Sequence, residues 1–375
     1  EFEVVSDSVF LLTKDYLMSD FALNKKEKSK GIYGKRTTFF RDHKFNNPKP
    51  IVFYKDEVNY KEPDIYNKSD EYWEENRFEN LSKDEIGVYK MLDTLQTVKK
   101  FKQIYSSVQV LASGFVQFGN FDYGPIFSTF GYNEVEGVRL RAGGRTYFGT
   151  DDSWRVQGYT AYGFKDDKFK YGFSGKWMVD RKNRLILSGG NRRDIEQIGA
   201  SLTATYDVLG RSSASSSVFT SGSNGKLTAI NLSNVAIEME PVKNLTFQTG
   251  FSYRTLESAS PTFSLDYYTD VANGIVKSDV KQSEASLQVD YTPKRKTIGF
   301  AVERQTVDSP YSRFLVNYSH GFKGLLDSDF QYDKLQLYYK QPIIIGPLGR
   351  SNVIIEVGKT FGTVPMFFLS TDVPE

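Results

Sequence analysis

The sequence predicts a mainly β protein: an antiparallel transmembrane β-barrel preceded by a small β region and two amphipathic helices. Three observations lead there. From about residue 115 onward, apolar and polar residues alternate with a period of two, the repeat of a strand whose side chains point to opposite faces. The alternating segments run about 9–14 residues, close to the ~9–11 that a tilted strand needs to cross a bilayer and longer than the ~5–6 usual in soluble sheets. Aromatic residues (24 Tyr, 29 Phe and 3 Trp) make up 15% of the chain, enough to supply rings at both interfaces of such a barrel. About twelve strands are visible by this pattern. An aromatic-rich soluble β-sandwich is the competing reading.

Taken in order, residues 1–75 mix short β-like pieces (Val9–Leu12, Thr37–Phe40, Ile51–Tyr54) with Lys/Asn/Asp/Pro-rich connections. They read as small hairpins, periplasmic or plug-like. Residue 1 is Glu with no signal peptide ahead of it, so the numbering reads as that of a mature or truncated chain. A helical segment is expected over 76–114. Ser82 and Glu85 have capping-box spacing, which satisfies two orphan amides at a helix start. Ile86, Tyr89, Leu92 and Leu95 then recur on one face. In a second helix Phe101, Ile104, Tyr105, Val108 and Leu111 keep helical spacing, and Gly114 stands where a C-terminal cap belongs. These helices either pack on a sheet or sit against the periplasmic end of the barrel, or partly in its mouth.

Residues 115–375 are the expected barrel domain. Leu245, Phe247, Phe251 and Tyr253 alternate with polar or small residues, as do Ala285 to Tyr291, Ile298 to Val302 and Leu335 to Tyr339. Residues 240–244 and 292–296 read as tight turns, and the polar stretches 206–226 and 255–281 as long loops. Segregation of loop length is the habit of outer-membrane barrels, with the long loops outside.

Composition removes several kinds of chemistry. There is no cysteine and only two histidines, His43 and His320, so thiolate sites, disulfides and imidazole triads have nothing to build on. Lys plus Arg number 48 against 46 acidic residues, a net charge of +2, which gives no overall drive toward nucleic acid. Mean hydropathy is −0.45, and no apolar run reaches the length of a transmembrane helix. Gly222–Lys226 is superficially similar to a phosphate loop, but its spacing is wrong and Leu227 stands where Ser or Thr is required. No other catalytic motif is present, so no enzyme, cofactor or metal is expected.

The most unusual stretch is Asn133–Thr146. As a strand it puts Arg139, Arg141 and Arg145 on one face and Val138, Leu140 and Ala142 on the other. Arginines cannot face lipid cheaply, at a few kcal/mol each near the midplane, so they must face a lumen. Either they form an ion-pair network with Glu136 and carboxylates of neighbouring strands, or they line a path for something anionic. Asp166 and Asp167 lie in Lys165–Lys168, a hairpin turn; calcium would need more oxygen ligands at regular spacing.

Trp73–Arg77, Leu81–Ser82 and Glu85, then Gly124–Pro125, Asn133–Arg145, Ala161–Asp166 and Phe169–Tyr171, resemble a family of Bacteroidota outer-membrane barrel proteins of unknown function. The resemblance runs on through Leu348–Arg350 and Gly358–Gly362 to Val364–Pro365. Members typically carry an N-terminal carboxypeptidase-regulatory-like domain, which is absent here. Val135–Leu140 is distantly similar to the surface-antigen superfamily, whose sixteen-stranded barrels insert proteins into outer membranes. The resemblance implies sixteen strands in the full protein, with a barrel incomplete at the C-terminus here. It also implies a non-enzymatic role in outer-membrane biogenesis, in contact with outer-membrane lipid and with other envelope proteins in a complex. A transporter or pore for anionic solutes is the alternative.

Overall fold

The computed structural model of the chain describes residues 1–6, 9–21, 32–48, 50, 68–146, 152–197, 227–260, 264–270, 273–299, 301–307, 310–346 and 349–365. The expected strand at 51–54, the stretch 206–226 and Leu348 lie outside these residues. The chain forms two compact units, Glu1–Thr97 and Val98–Glu375.

In the first unit, β1 (Phe2–Ser6) pairs with β2 (Val9–Leu12), and β3 (Lys14–Phe21) with β4 (Ile32–Phe39). The helix α1 (Asp70–Asn76) starts at Ser69, whose Oγ accepts the Tyr72 amide at 3.3 Å. The next, α2 (Lys83–Thr97), carries the reciprocal cap its sequence predicts. The Ser82 amide donates to Glu85 Oε2 at 2.8 Å, and the Glu85 amide to Ser82 Oγ at 3.3 Å. Donation from the Ser82 backbone and hydroxyl holds the Glu85 carboxyl below the usual carboxylate range.

The second unit opens with α3 (Lys99–Ser113), closed as expected by Gly114 in the left-handed region (φ 76°), whose amide donates to Val110 O at 2.7 Å. The rest is mainly β. Three short strands come first: β5 (Val116–Phe118), β6 (Phe121–Tyr123) and β7 (Phe130–Asn133). Next are β8 (Gly137–Thr146), β9 (Trp154–Gly163), β10 (Lys168–Asp180), β11 (Leu185–Gln197), β12 (Leu227–Val242) and β13 (Leu245–Ser258). A small hairpin, β14 (Tyr267–Asp270) and β15 (Ile275–Lys277), precedes β16 (Asp279–Tyr291). Another, β17 (Thr297–Ile298) and β18 (Gln305–Thr306), precedes β19 (Arg313–Phe322), β20 (Tyr332–Ile344) and β21 (Arg350–Phe361).

Thirteen of these strands make one antiparallel sheet, in which β8 to β13, β16 and β19 to β21 follow one another in sequence order. β6 and β7 share the free side of β8, separated by the 3-10 turn Ile126–Ser128. Ten of the thirteen strands are long, from 10 to 16 residues. Short turns such as 164–167, 181–184 and 243–244 each place a residue at positive φ: Asp167 at 51°, Arg184 at 49° and Asn244 at 66°.

The structure corrects two details of the sequence reading. Loop length is not cleanly segregated. The end that carries 198–226 and 259–278 also has the short turn 164–167, and the end with 181–184 and 243–244 also carries 292–312. Of the expected strand Ile298–Val302, Phe300 lies outside the described residues and the others do not join the large sheet. Lys294 (φ 62°) and Gly299 (φ 89°) break the extended backbone, β17 lasts two residues, and the chain turns in so that Ala301 and Val302 are buried.

The two faces of the sheet differ in an unusual sense. One carries Val138, Val156, Phe173, Val235, Leu287 and Leu337, which are 45–60% exposed. The other carries Arg139, Lys170, Arg192 and Asp194, which are at most 5% exposed. Rings gather near both strand ends of the apolar face. Trp154 and Trp177 are cross-strand partners at the short-turn end, where Phe314 also lies 6.3 Å from Tyr291 and 4.8 Å from Tyr339. Tyr162 and Phe169 meet at 4.8 Å toward the other end. Among the described residues no helix is long and apolar enough to cross a membrane.

Candidate functional site: the charged sheet face

Adjacent strands lie ~4.8 Å apart, so three strand steps span ~14 Å across a flat sheet. Arg139 on β8 nevertheless bonds Asp194 on β11, and Arg254 on β13 bonds Tyr332 on β20. The sheet therefore curls toward its charged side, and the groups there converge.

The first cluster is organised by a turn. Asn133 Oδ1 accepts the amides of Val135 at 3.1 Å and Glu136 at 2.8 Å, and Gly137 follows at φ 64°. This side-chain turn sends Glu136, fully buried, back over the strand it precedes. Arg139 lies between two carboxylates: its Nη1 donates to Glu136 Oε1 at 3.0 Å and to Asp194 Oδ1 at 2.7 Å, and its Nη2 to Asp194 Oδ2 at 3.0 Å. Lys170 Nζ reaches Glu136 Oε1 at 2.7 Å and Asp166 Oδ2 at 2.6 Å. Gly163 makes room for this: a Cβ there would stand 2.8 Å from both Glu136 Cβ and Lys170 Nζ.

Beside it, Tyr159 lies across two glycines of the flanking strands. Gly143 and Gly172 are its direct register partners, and a Cβ on Gly143 or Gly172 would meet Tyr159 at 2.7 or 2.5 Å. The ring carries the Arg141 guanidinium 4.4 Å from its centroid, and its hydroxyl donates to Asp194 Oδ2 at 2.5 Å. Arg141 Nη1 donates to Ser128 Oγ at 2.5 Å, and Arg192 pairs with Glu196 at 2.5 Å. Four cations (Arg139, Arg141, Lys170, Arg192) thus stand against four carboxylates (Glu136, Asp166, Asp194, Glu196). The cluster is formally neutral and largely dry, the condition under which buried charge is tolerable.

The other expected site residues fall in place around it. Arg145 pairs with Asp122 of β6 at 3.2 Å. Asp166 belongs to the cluster through Lys170, whereas Asp167 is in the turn and accepts the Tyr162 hydroxyl at 3.0 Å. Asp194, Lys170, Arg192, Glu196 and Tyr159 are the members that sequence reasoning missed. Each is on the charged-face parity of its strand, but nothing local says which of them stands opposite Arg139.

A second cluster is made by the strap, residues 292–312, at the short-turn end. Glu303 takes Arg155 Nη1, and Lys176 Nζ at 3.3 Å. Arg184, just before β11, donates to the carbonyls of Ala301 at 3.2 Å and Val302 at 3.3 Å. Arg304 pairs with Glu240 of β12. The Val302 amide donates to Asp152 O at 2.7 Å, and its side chain packs on Met178 and Ile186. A cavity of about 500 Å³ on this face is lined by Arg184, Asn234, Gln248, Gln288, Asp290 and Arg295, among others. Further round the sheet, Arg313 holds Asp290 bidentately, Nε to Oδ1 at 3.1 Å and Nη2 to Oδ2 at 2.5 Å. At the long-loop end Leu265, from the 259–278 connection, packs with Ile230, Leu256, Val280 and Tyr332.

The arrangement positions charge against charge and leaves little of it facing solvent. It ties together strands that are not neighbours in the sheet. No curated protein matches the chain. Residues 114–370, which take in the whole large sheet, match the C-terminal domain of a family of unknown function (DUF5686). The match covers more than half of the chain, and the chain belongs to that family.

Proposed function

We propose that the large sheet is the wall of an outer-membrane β-barrel, and that the protein is a non-enzymatic component of outer-membrane biogenesis working in a complex. The observation that carries the membrane reading is the inversion of the two faces. A sheet folded in water buries its apolar side and wets its charged side; this one exposes valine, leucine and phenylalanine and buries arginine and aspartate. Lipid against the apolar face reverses the sense and satisfies both. Strand lengths of 10 to 16 residues and rings near both strand ends support the same reading. If it is right, carbonate or urea leaves the protein in the membrane fraction. Release without detergent overturns it.

The biogenesis role rests on the resemblance to outer-membrane barrel families, with a structural consideration beside it. A pore for anions needs arginines free to meet solutes, whereas Arg139 is held by two carboxylates, Arg145 by one, and Arg141 by Ser128 and a tyrosine ring. Depletion of the protein is expected to lower the levels of other outer-membrane proteins. Unchanged levels rule the role out, and conductance in planar bilayers that falls when Arg139, Arg141 and Arg145 are neutralised restores the pore reading.

A further inference from the structure

Among the described residues of its own unit, nothing covers the apolar face of the helix α3. Successive residues turn by about 100°. Phe101, Ile104, Tyr105, Val108 and Leu111 therefore fall within an arc of about 120°, the stripe a helix normally buries. Here Ile104 is 65% exposed, Tyr105 61%, Val108 58% and Leu111 67%. A helix of 15 residues without tertiary packing is marginal in water, so something apolar must cover this face.

The rest of the helix says what. It contains no acidic residue, and Lys99, Lys100 and Lys102 crowd its first turn. The remaining positions outside the arc are serine and glutamine, apart from Val110. Low net hydrophobicity, a wide apolar stripe and a purely basic polar side make a helix that lies in the plane of a membrane interface. Its far end is fixed to the sheet: the Ile126 amide donates to Gly114 O at 2.7 Å, and Gln109 Nε2 donates to Gln117 Oε1 at 3.0 Å. The short strands that follow expose Phe118, Phe121 and Phe130, which continue the apolar surface of the sheet.

We propose that α3 lies on an anionic lipid surface beside the barrel wall, its apolar stripe in the acyl boundary and its three lysines against acidic headgroups. This rests on reading the sheet as membrane-embedded. The helix then acts as a float that fixes the depth at which the first, broken strand meets the bilayer edge.

The chain has no cysteine, so single labels can be placed without background. Full chain is reconstituted in phosphatidylcholine vesicles with and without phosphatidylglycerol, carrying an environment-sensitive fluorophore at Ile104→Cys, Val108→Cys, Gln103→Cys, Ser106→Cys or, on the sheet, Leu337→Cys. In anionic vesicles the labels at 104 and 108 should be blue-shifted, severalfold less quenched by aqueous iodide than those at 103 and 106, and quenched by spin-labelled lipid. Lys99→Gln, Lys100→Gln and Lys102→Gln together should return the 104 label to its behaviour in phosphatidylcholine alone. Equal iodide quenching at all four helix positions overturns the proposal, as does shielding at 104 and 108 that spin-labelled lipid does not reach, since protein then covers the face. A triple variant indistinguishable from wild type overturns the anionic headgroup assignment. The sheet label separates the two readings: lipid quenching at 337 but not at 104 removes the helix proposal alone, and none at 337 removes the membrane reading as well.

Discussion

The two faces of the large sheet are built from the same strands, residue by residue, yet obey opposite rules. Arg139 is 1% exposed and Val138, its neighbour in sequence, is 49% exposed. On the charged side Arg139, Arg141, Lys170 and Arg192 are compensated locally, through ion pairs, a hydroxyl and a ring face. On the apolar side the few described pairs are peripheral or local, such as Asn191 with Ser233 and Tyr318 with Asp333, and the valines, leucines and phenylalanines have no cover. The difference teaches that the charged face carries its own partners, whereas the apolar face must find its cover outside the described residues, which in the proposed reading is lipid. Each face can be tested by giving it the chemistry of the other.

The largest expected effect is on the charged face. Arg139→Met takes from Asp194 its ion pair and leaves Glu136 with Lys170 alone, in a dry setting, a change of about 3–5 kcal/mol in stability, read from urea unfolding of the refolded protein. Adding Asp194→Asn should recover part of the loss; a cost under ~1 kcal/mol for the single change means water reaches the site. The converse substitution is Val235→Arg, at mid-strand on the apolar face. In a bilayer it should cost about 2–4 kcal/mol in lipid refolding titrations, against nearly nothing if that face is wet. A smaller effect is expected from Tyr159→Phe, which removes the hydroxyl that donates to buried Asp194, about 1–3 kcal/mol. Gly172→Ala should approach it by crowding the same ring. Smallest is a change away from the sheet. The Glu85 carboxyl is depressed, so its contribution to the α2 cap is complete above the ordinary carboxylate range and fades as pH falls through the depressed value. Normalised amide exchange in the first turn of α2 should therefore rise on acidification, while Glu85→Gln stays flat.

What could be read from the sequence follows the range of the forces involved. The cap at Ser82 and Glu85 and the Gly114 terminus are local patterns, and both stand as written. The strands and their faces are legible because period-two alternation is a property of each segment alone. That Arg139, Arg141 and Arg145 share a face follows from parity. Their partners do not. Asp194 is 55 residues from Arg139, and its place opposite depends on the register of β9, β10 and β11 and on the curl of the sheet. The strap misleads for a different reason. Ile298, Phe300 and Val302 alternate in sequence as a strand would, and alternation carries no information about the positive φ of Lys294 and Gly299 or the burial of Ala301 and Val302.

The strap has a consequence for the order of assembly. Its partners Asp152, Arg155, Lys176, Arg184 and Glu240 are made earlier in the chain, and the Glu303–Arg155 contact spans 148 residues. Contacts at that separation reward the chain only after its ends have met. The strap therefore seats once β9 to β12 already stand side by side; until then Arg155 keeps Asp152, and Arg184 and Glu240 keep each other, without the further ion pairs of Glu303 and Arg304. Its contacts are thus tied to register: a slip anywhere in β9 to β12 would part Glu303 from Arg155 and Lys176, or Arg304 from Glu240.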